Sequence, residues 1–289
     1  MKWKHAQYTG TISAEEDELM TLKTSIAKPR SLLCSIAVLS VLTFSTIALN
    51  LAAQNGNPAQ FASFRASFKH SRFKPLFLNW QTAGGPKLEG DALDFFNFRI
   101  PSLPAFLNDP FQAVAAFPIA DQLEAYLIHG PSELNDSNIS LLIFRSDGQL
   151  MDVQLVAGRK GDEGYYDEHF GWIRDLNGDG VPDLLISEQL AKLSKDASYE
   201  EYETRPLRQK TWNGRRFVPS SFPISSQVKN MIEEDLGTFR LQQFRSWDSD
   251  PRYKSAAIHS YEIWIKMYPG HSKTAVARTR LQQLRNVGR

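Results

Sequence analysis

The sequence contains a single cysteine, Cys34, and this scarcity excludes several kinds of site. One cysteine cannot form an internal disulfide, a Cys-x-x-Cys redox site or a thiolate-based zinc cluster. Because Cys34 lies near the start, any part of the chain exported beyond it is free of cysteine, which suits an oxidising compartment. A large charge excess is also lacking, and the net charge of +1 argues against a nucleic-acid partner.

Established catalytic motifs are absent as well. The chain has no Gly-x-Ser-x-Gly elbow, no His-Glu-x-x-His pair and no glycine-rich phosphate loop. A glycosidase needs only two carboxylates without a local motif, so a hydrolase of cell-wall or extracellular polymer stays open as an alternative function. For that alternative, Asp167, Glu168 and His169 form a candidate catalytic cluster, although a solvated charged loop is the favoured interpretation of this segment.

Charged residues are missing from residues 31–60, and the apolar core of this run is about long enough to span a bilayer as a helix. We therefore predict that residues 31–54 are a transmembrane anchor or a signal segment, and both alternatives remain open. Lys28 and Arg30 precede the run, which favours a cytoplasmic or n-region tail over residues 1–30. Translation could also begin at Met20, which would give an ordinary signal-peptide n-region. The bulk of the chain is then periplasmic or extracellular, either anchored in the cytoplasmic membrane or secreted after cleavage.

Residues 55–89 are predicted to be a juxtamembrane linker. Within them, FASFRASFKHSRFKPLF places phenylalanines at near-helical spacing with basic residues between them. A basic, aromatic-edged helix can lie in the headgroup layer of a membrane. The favoured alternative is a short helix, limited by Pro75, whose phenylalanines pack on the following domain.

Residues 90–222 have the texture of an antiparallel β domain, with short apolar or alternating runs between turn residues. Asp147-Gly148 and Asn213-Gly214 each predict a tight hairpin turn, since glycine supplies the positive φ that such turns need. The charged segment 191–206 is predicted to be a mobile or helical insertion. The strands are too few for a propeller in this chain alone, so a small sheet or sandwich is expected.

Residues 223–289 are predicted to be helical. A loose apolar stripe weakened at Gly237 predicts a first helix. Asp250 is a plausible N-cap, with Pro251 at the first position of a second helix. This helix is predicted to end at the Tyr-Pro-Gly turn, residues 268–270. Ser272 can cap a third helix that runs to the end of the region. The expected fold class is therefore α+β: a mainly antiparallel β domain, then a C-terminal helical hairpin, preceded by the transmembrane or signal helix.

The last forty residues resemble a tetratricopeptide-type helical hairpin. The resemblance is carried by the Tyr-Pro-Gly turn and by Tyr253, Ala256, Ala257, Tyr261, Ile265, Ala277 and Leu281. It implies contact with other proteins. Only one hairpin is found, however, whereas a repeat array needs about three, so the pair is expected to pack on the β domain or the preceding helix. Its basic residues indicate a solvated face or, as an alternative, an acidic partner.

The segment IRDLNGDGVPDLLIS, residues 173–187, predicts a calcium loop. Its oxygen ligands fall at alternate positions, and two glycines, Gly178 and Gly180, permit the tight curvature that points them at one centre. The predicted metal ligands are Asp175, Asn177, Asp179, Val181 through its carbonyl, and Asp183. Such a hard, oxygen-only set suits Ca²⁺ better than magnesium or zinc. The alternative is an Asx-rich turn without an ion, which would leave three carboxylates repelling one another.

An EF-hand is excluded, because position 12 of the loop is Ile186 and not glutamate. The loop instead resembles the FG-GAP type repeat of integrin-like proteins, in which Asp-x-Asn-x-Asp-Gly-x-x-Asp runs into an apolar strand. The resemblance implies a structural calcium site. We therefore expect an exported, calcium-binding envelope protein that acts as a non-enzymatic binding or scaffolding module. Its expected partner is a protein or an envelope polymer, and its contact with the membrane is through residues 31–54.

Overall fold

Ten antiparallel strands form one sheet at the centre of the structure, a computed structural model that describes residues 57–99, 111–131, 137–161, 164–193 and 199–286. The predicted tail 1–30 and the predicted anchor or signal 31–54 lie outside these ranges. In the part of the chain that is described, no helix combines the length and the hydropathy needed to cross a membrane.

The strands follow one another along the sheet with few departures from sequence order. Their bounds are β1 Leu76–Leu78, β2 Gln112–Ala120, β3 Leu123–Pro131, β4 Ser137–Arg145, β5 Leu150–Lys160, β6 Tyr165–Arg174, β7 Asp183–Leu193, β8 Tyr199–Thr204, β9 Arg208–Trp212 and β10 Phe217–Pro219. The order in the sheet is β10-β9-β7-β6-β5-β4-β3-β2, with β1 also paired to β6 and β8 also paired to β7. The prediction of a mainly antiparallel β region is confirmed, although the sheet is larger than expected.

Among the described residues five α-helices accompany this sheet, so the predicted α+β class is confirmed at this level. They are α1 Pro58–Ala66, α2 Gly90–Arg99, α3 Ser226–Arg245, α4 Lys254–Met267 and α5 Thr274–Asn286. A 3₁₀ turn, Pro251–Tyr253, leads directly into α4, and the Asp250 carboxylate accepts a hydrogen bond from Arg252 N at its start. The helix start at Asp250 and the break after α4 are thus where the sequence predicts them.

Both predicted hairpin turns are present, whereas one predicted insertion is wrong. Gly148 and Gly214 have positive φ values of 82° and 89° at the β4–β5 and β9–β10 turns. The segment 191–206 was expected to be mobile or helical. Its described residues instead extend β7 to Leu193 and form β8, which pairs with β7. Tyrosine is favoured in strands, and β8 contains two, Tyr199 and Tyr202.

The phenylalanines near the start of the described chain pack on the sheet. Phe61 and Phe64 of α1 are buried against Tyr126 and Phe144 of β3 and β4, in a cluster that also takes in α2. The favoured interpretation of these aromatics as packing residues therefore agrees with the structure. Phe77 lies beyond the helix in β1, where it stacks on Trp172. Described residues within the segment 55–89, predicted to be a linker, thus contribute a helix and a strand to the core.

The opposite face of the sheet curls around a shared core. Phe117 of β2 and Phe217 of β10 belong to the same buried cluster, although these strands lie at opposite ends of the strand order. The Asp152 carboxylate of β5 reinforces this approach, since it accepts a 2.7 Å hydrogen bond from Phe217 N of β10. Because both ends of the sheet contribute to one cluster, the sheet must bend back toward itself.

The free edge of β2 is covered by the chain that precedes it. Ser71 N donates to Ala116 O at 3.0 Å, Gly85 N to Ala113 O at 2.9 Å and Leu88 N to Phe111 O at 2.8 Å. The close approach requires glycine at position 85, because a Cβ there would lie 2.3 Å from the Ala113 carbonyl oxygen. The main-chain groups of this edge are therefore largely satisfied within the chain.

The C-terminal helices dock on β6 and β7 through a buried ion pair. Arg240 of α3 is 1% exposed and Glu168 of β6 is 0% exposed, and Arg240 Nη2 donates to the Glu168 carboxylate. Arg240 also donates to Gln189 of β7 at 2.9 Å and to Gln243 at 3.1 Å. Trp172 Nε1 adds a 2.8 Å hydrogen bond to Asp235. The helical pair was expected to pack on the β domain or on the preceding helix, and the structure shows both, because α4 and α5 join a buried cluster with α3 and with residues of β6 and β7.

Close packing against His271 requires glycine at position 237, in the middle of α3. A Cβ at this position would lie 2.4 Å from His271 Cδ2, and Trp264 Nε1 donates to the Gly237 carbonyl at 2.7 Å. His271 Nδ1 accepts from Lys273 N at 2.9 Å, so the proton of the neutral ring is on Nε2, which donates to Glu234 O at 3.0 Å. Ser272, predicted to cap α5, donates its hydroxyl to Glu234 instead.

We expect Gly237→Ala to destabilise the protein by about 1–3 kcal/mol, because displacing the His271 ring outweighs the roughly 1 kcal/mol gained in helix propensity. Urea unfolding of the full chain measures the change. Gly270→Ala is the matched control, since a Cβ there meets nothing within 4 Å. Equal stability of Gly237→Ala and the parent would contradict the tight contact.

Arg240→Leu should cost about 3–5 kcal/mol, because it leaves the Glu168 carboxylate buried without its main partner. Adding Glu168→Gln should restore a large part of this loss, since the uncompensated charge is then removed. Arg205→Leu is the control: Arg205 forms its ion pairs at the surface, where such pairs contribute at most about 1 kcal/mol. Unfolding midpoints in urea distinguish the three, and equal losses in the Arg240 and Arg205 variants would refute the role of the pair.

Candidate functional site

The predicted calcium loop connects β6 and β7, two strands that pair over their full common length. The pairing runs from Tyr165 opposite Lys192 to Arg174 opposite Asp183. Buried apolar residues flank the loop on both sides: Ile173 before it and Leu184 after it are 0% and 1% exposed. The loop is therefore short, and its two ends are held by the sheet.

Asp175 lies at the centre of the hydrogen bonding in the loop. Its Oδ1 accepts from Gly178 N at 2.7 Å, and its Oδ2 accepts from Gly180 N at 2.9 Å. Both glycines adopt positive φ, 80° and 83°, as the sequence predicted from the curvature required. The backbone thus wraps around one carboxylate.

The other predicted ligands extend this pattern along the loop. Asn177 Oδ1 accepts from Asp179 N at 2.9 Å, and Asp179 Oδ1 accepts from Val181 N at 2.7 Å. Asn177 Nδ2 also donates to Asp179 Oδ2 at 2.9 Å. Asp175, Asn177 and Asp179 are all exposed, so solvent and ions can reach their oxygens.

Asp183, the last predicted ligand, is buried with 2% of its surface exposed, in contrast to the others. Its Oδ2 accepts from Leu176 N at 2.9 Å. Burial raises the pKa of the Asp183 carboxyl above its ordinary value, and the negative charges of Asp179 and Asp175 add to this rise. Burial is the largest cause of this rise in pKa, and among the described residues no basic side chain forms an ion pair with Asp183.

The donor set fits a hard divalent cation. Carboxylate, amide and main-chain oxygens are the ligands that Ca²⁺ takes, and each carboxylate oxygen that accepts one loop N–H has a further lone pair to offer. The structure does not, however, gather three acidic or histidine side chains into a metal-sized cluster within its described residues. Binding would therefore require the loop to draw its carboxylates closer together.

The candidate catalytic cluster is not brought together. The Glu168 side chain lies on the helix-covered face of β6, where it pairs with Arg240. Asp167 and His169, its neighbours in the strand, project to the other face, near Arg205 and Glu188 respectively. Burial lowers the pKa of His169, although Glu188 opposes this effect. Alternation along a strand therefore separates the three residues that the sequence places side by side.

Sequence reasoning missed an open cavity of about 390 Å³ beside the loop, between it and the first turn of α3. Arg174, Asp175 and Leu176 line one side, and Val228 and Met231 line the other. The two sides of the cavity are more than fifty residues apart in the sequence, so no local pattern could have predicted it. It places α3 directly against the loop that follows β6.

Comparison with known proteins gives no relative: no protein-family model, curated protein or solved structure matches this chain significantly.

With calcium removed by chelator, the free energy of unfolding should fall as pH rises from about 4, because the folded state penalises ionisation of Asp183. The sign follows from the raised pKa: a carboxyl that holds its proton more tightly when folded contributes stability at low pH and loses it as it ionises. Asp183→Asn should therefore be more stable than the parent at pH 7, by a margin that shrinks toward pH 4.

Thermal midpoints across this pH range measure the difference, and Asp147→Asn at the exposed β4–β5 turn is the control. A variant that is less stable than the parent at every pH would show that the Asp183 charge is not penalised.

Proposed function

We propose that this protein is an exported, non-enzymatic envelope protein whose β6–β7 loop binds calcium and stabilises a binding or scaffolding module. Residues 31–54 would direct the export, either as an anchor in the cytoplasmic membrane or as a cleaved signal. The apolar run and the basic residues ahead of it support this placement. The remaining support comes from the loop and from the helices that dock beside it.

The observation that carries the calcium proposal is the buried carboxyl of Asp183 at the end of an acidic loop. Burial raises the pKa of the Asp183 carboxyl, and the negative charges of Asp179 and Asp175 add to the rise. A divalent cation would offset both effects by stabilising the ionised carboxylate. The side chains of Asp175, Asn177, Asp179 and Asp183, with the Val181 carbonyl, would hold the ion. When bound, calcium would supply positive charge at the end of the β6–β7 pair and fix the loop.

The location of the loop favours a structural role for the ion. β6 carries Glu168 and β7 carries Gln189, the two residues on which Arg240 of α3 docks. An ion that fixes the connection between these strands would also stabilise the surface on which the helices rest. The resemblance to the FG-GAP type loop leads to the same proposal, since there the ion supports the sheet.

The binding role rests on the C-terminal helices. Residues of α3, α4 and α5 share one buried cluster, and the resemblance of the last forty residues to a tetratricopeptide-type hairpin was drawn from the sequence. The inner side of the hairpin is occupied by its own domain, so the outer side of α5 is available for a protein or an envelope polymer. No reaction is required of any residue in this arrangement.

Calcium should raise the thermal midpoint of the parent chain. Stabilisation of roughly 2.7 kcal/mol is expected at a hundredfold excess over the dissociation constant, which corresponds to about 5–10 °C for a unit of this size. Asp179→Ala should lose most of this response while folding normally at low temperature, because Asp179 supplies a ligand and not a core contact.

Asp147→Ala provides the matched control, since Asp147 is likewise an exposed aspartate that accepts a main-chain N–H in a turn. It should respond to calcium as the parent does. Magnesium at the same concentration should give a smaller shift, because it demands a more rigid octahedral site. The proposal fails if the parent shows no calcium-dependent shift, or if Asp179→Ala retains it in full.

A further inference from the structure

Positive charge is concentrated in the last part of the described chain. Residues 245–286 contain eight lysines and arginines against three acidic residues, a net charge of +5, whereas the whole chain has a net charge of +1. The three acidic residues are already engaged: Asp248 pairs with Arg280, Asp250 with Arg252 and Glu262 with Arg285. This region therefore holds a surplus of positive charge that its own carboxylates do not balance.

Two grooves on the outer surface of α5 are lined by some of these basic residues. An open groove of about 530 Å³ runs between the end of α3 and α5, and Arg245, Val276 and Thr279 are among its lining residues. A second groove of about 430 Å³ lies on the other side of α5 and is lined by Arg278 and Gln282, among others. We call α5 with these two grooves the α5 ridge.

Each groove contains one arginine that takes part in none of the ion pairs formed among the described residues. Arg245 lies in the first groove, where it also faces Tyr261 and the Asp248 carboxylate, and Arg278 lies in the second groove; both arginines are exposed. Arg280, by contrast, is held by Asp248, which accepts from its Nε at 2.8 Å. Val276 is 51% exposed on the same ridge. The ridge thus presents two guanidinium groups, one on each side, and Val276 adds an exposed apolar side chain to the first groove beside Arg245.

We propose that the α5 ridge docks an acidic segment of a partner protein, an inference that rests on the proposed binding role. Guanidinium groups pair with carboxylates through two parallel hydrogen bonds, so Arg245 and Arg278 would each hold a Glu or Asp of the segment. Val276 would contact an apolar residue of the segment. The occupant is therefore a peptide in which acidic and apolar side chains are interspersed.

The shape of the ridge favours a peptide over an anionic membrane surface. A flat array of headgroups would touch the crest of α5 but would not enter grooves on both sides of it. Individual side chains of a peptide can enter them. Charge complementarity of this kind raises the association rate and selects the partner, and it weakens as salt is added.

The test is fluorescence anisotropy of the full chain with a fluorescein-labelled peptide in which glutamate alternates with leucine, at saturating calcium. The same peptide with glutamine in place of glutamate is the uncharged control. Arg245→Glu and Arg278→Glu should each weaken binding of the acidic peptide about fivefold, since each converts an attraction into a repulsion. Added salt should weaken binding by the parent more than by either variant.

Arg215→Glu and Arg216→Glu are matched controls, because both residues are exposed at the β9–β10 turn and give the same charge change. They should leave binding unaltered. Equal binding of the glutamine peptide, equal losses in the turn variants, or no binding of the acidic peptide would each overturn the proposal. Binding to phosphatidylglycerol vesicles that Arg245→Glu or Arg278→Glu weakens, in the absence of peptide binding, would also overturn it.

The thermal response to calcium separates this proposal from the loop proposal. Arg278→Glu leaves Asp175 to Asp183 untouched and should retain the calcium shift. Failure of peptide binding with an intact calcium shift would refute the α5 ridge alone, whereas peptide binding without a calcium shift would refute the loop alone.

Discussion

The buried ion pair between Glu168 and Arg240 is the contact on which the arrangement of sheet and helices depends. Neither charge reaches solvent, so each must be satisfied by protein groups, and α3 is placed so that its guanidinium reaches Glu168 of β6 and Gln189 of β7. A second cation, Arg159, lies 3.7 Å from Glu168 and is stacked 3.6 Å from the Tyr166 ring centroid. The buried carboxylate thus has two arginines near it, one from α3 and one from β5.

Once α3 is fixed, it connects the two sites proposed above. Its first turns line the cavity beside the β6–β7 loop, and its last turn provides Arg245 to the α5 ridge. Between them, Gly237 lets His271 and Trp264 approach closely, so the α4–α5 hairpin follows the position of α3. The loop, the ion pair and the ridge are therefore arranged along one helix.

Features with a local physical cause could be predicted from the sequence. Gly148 and Gly214 were recognisable because positive φ at a hairpin turn favours glycine, and α4 ends where Pro269 follows. The loop was recognisable because alternate oxygens and two glycines are a local pattern, and the structure brings Asp175 into contact with both glycine N–H groups. In each case the deciding contacts lie within a few residues.

Features that depend on distant segments could not be predicted. Glu168 and Arg240 are separated by 72 residues, and nothing near Glu168 distinguishes it from Asp167 beside it. Gly237 looked like a weak point of a helix because His271, the reason for it, lies on another helix. The curl of the sheet depends on Phe117 and Phe217 meeting across the core, a contact with no local signal.

The covered edge of β2 has a consequence for how copies of this protein can meet. An uncovered edge strand offers a row of N–H and C=O groups to which a second chain can add a strand, and this is a common route to polymers and amyloid. Here the segment from Ser71 to Leu88 already occupies those groups. Growth of an extended intermolecular sheet from β2 would first require this segment to detach, so the free energy needed to break its hydrogen bonds and packing protects the edge.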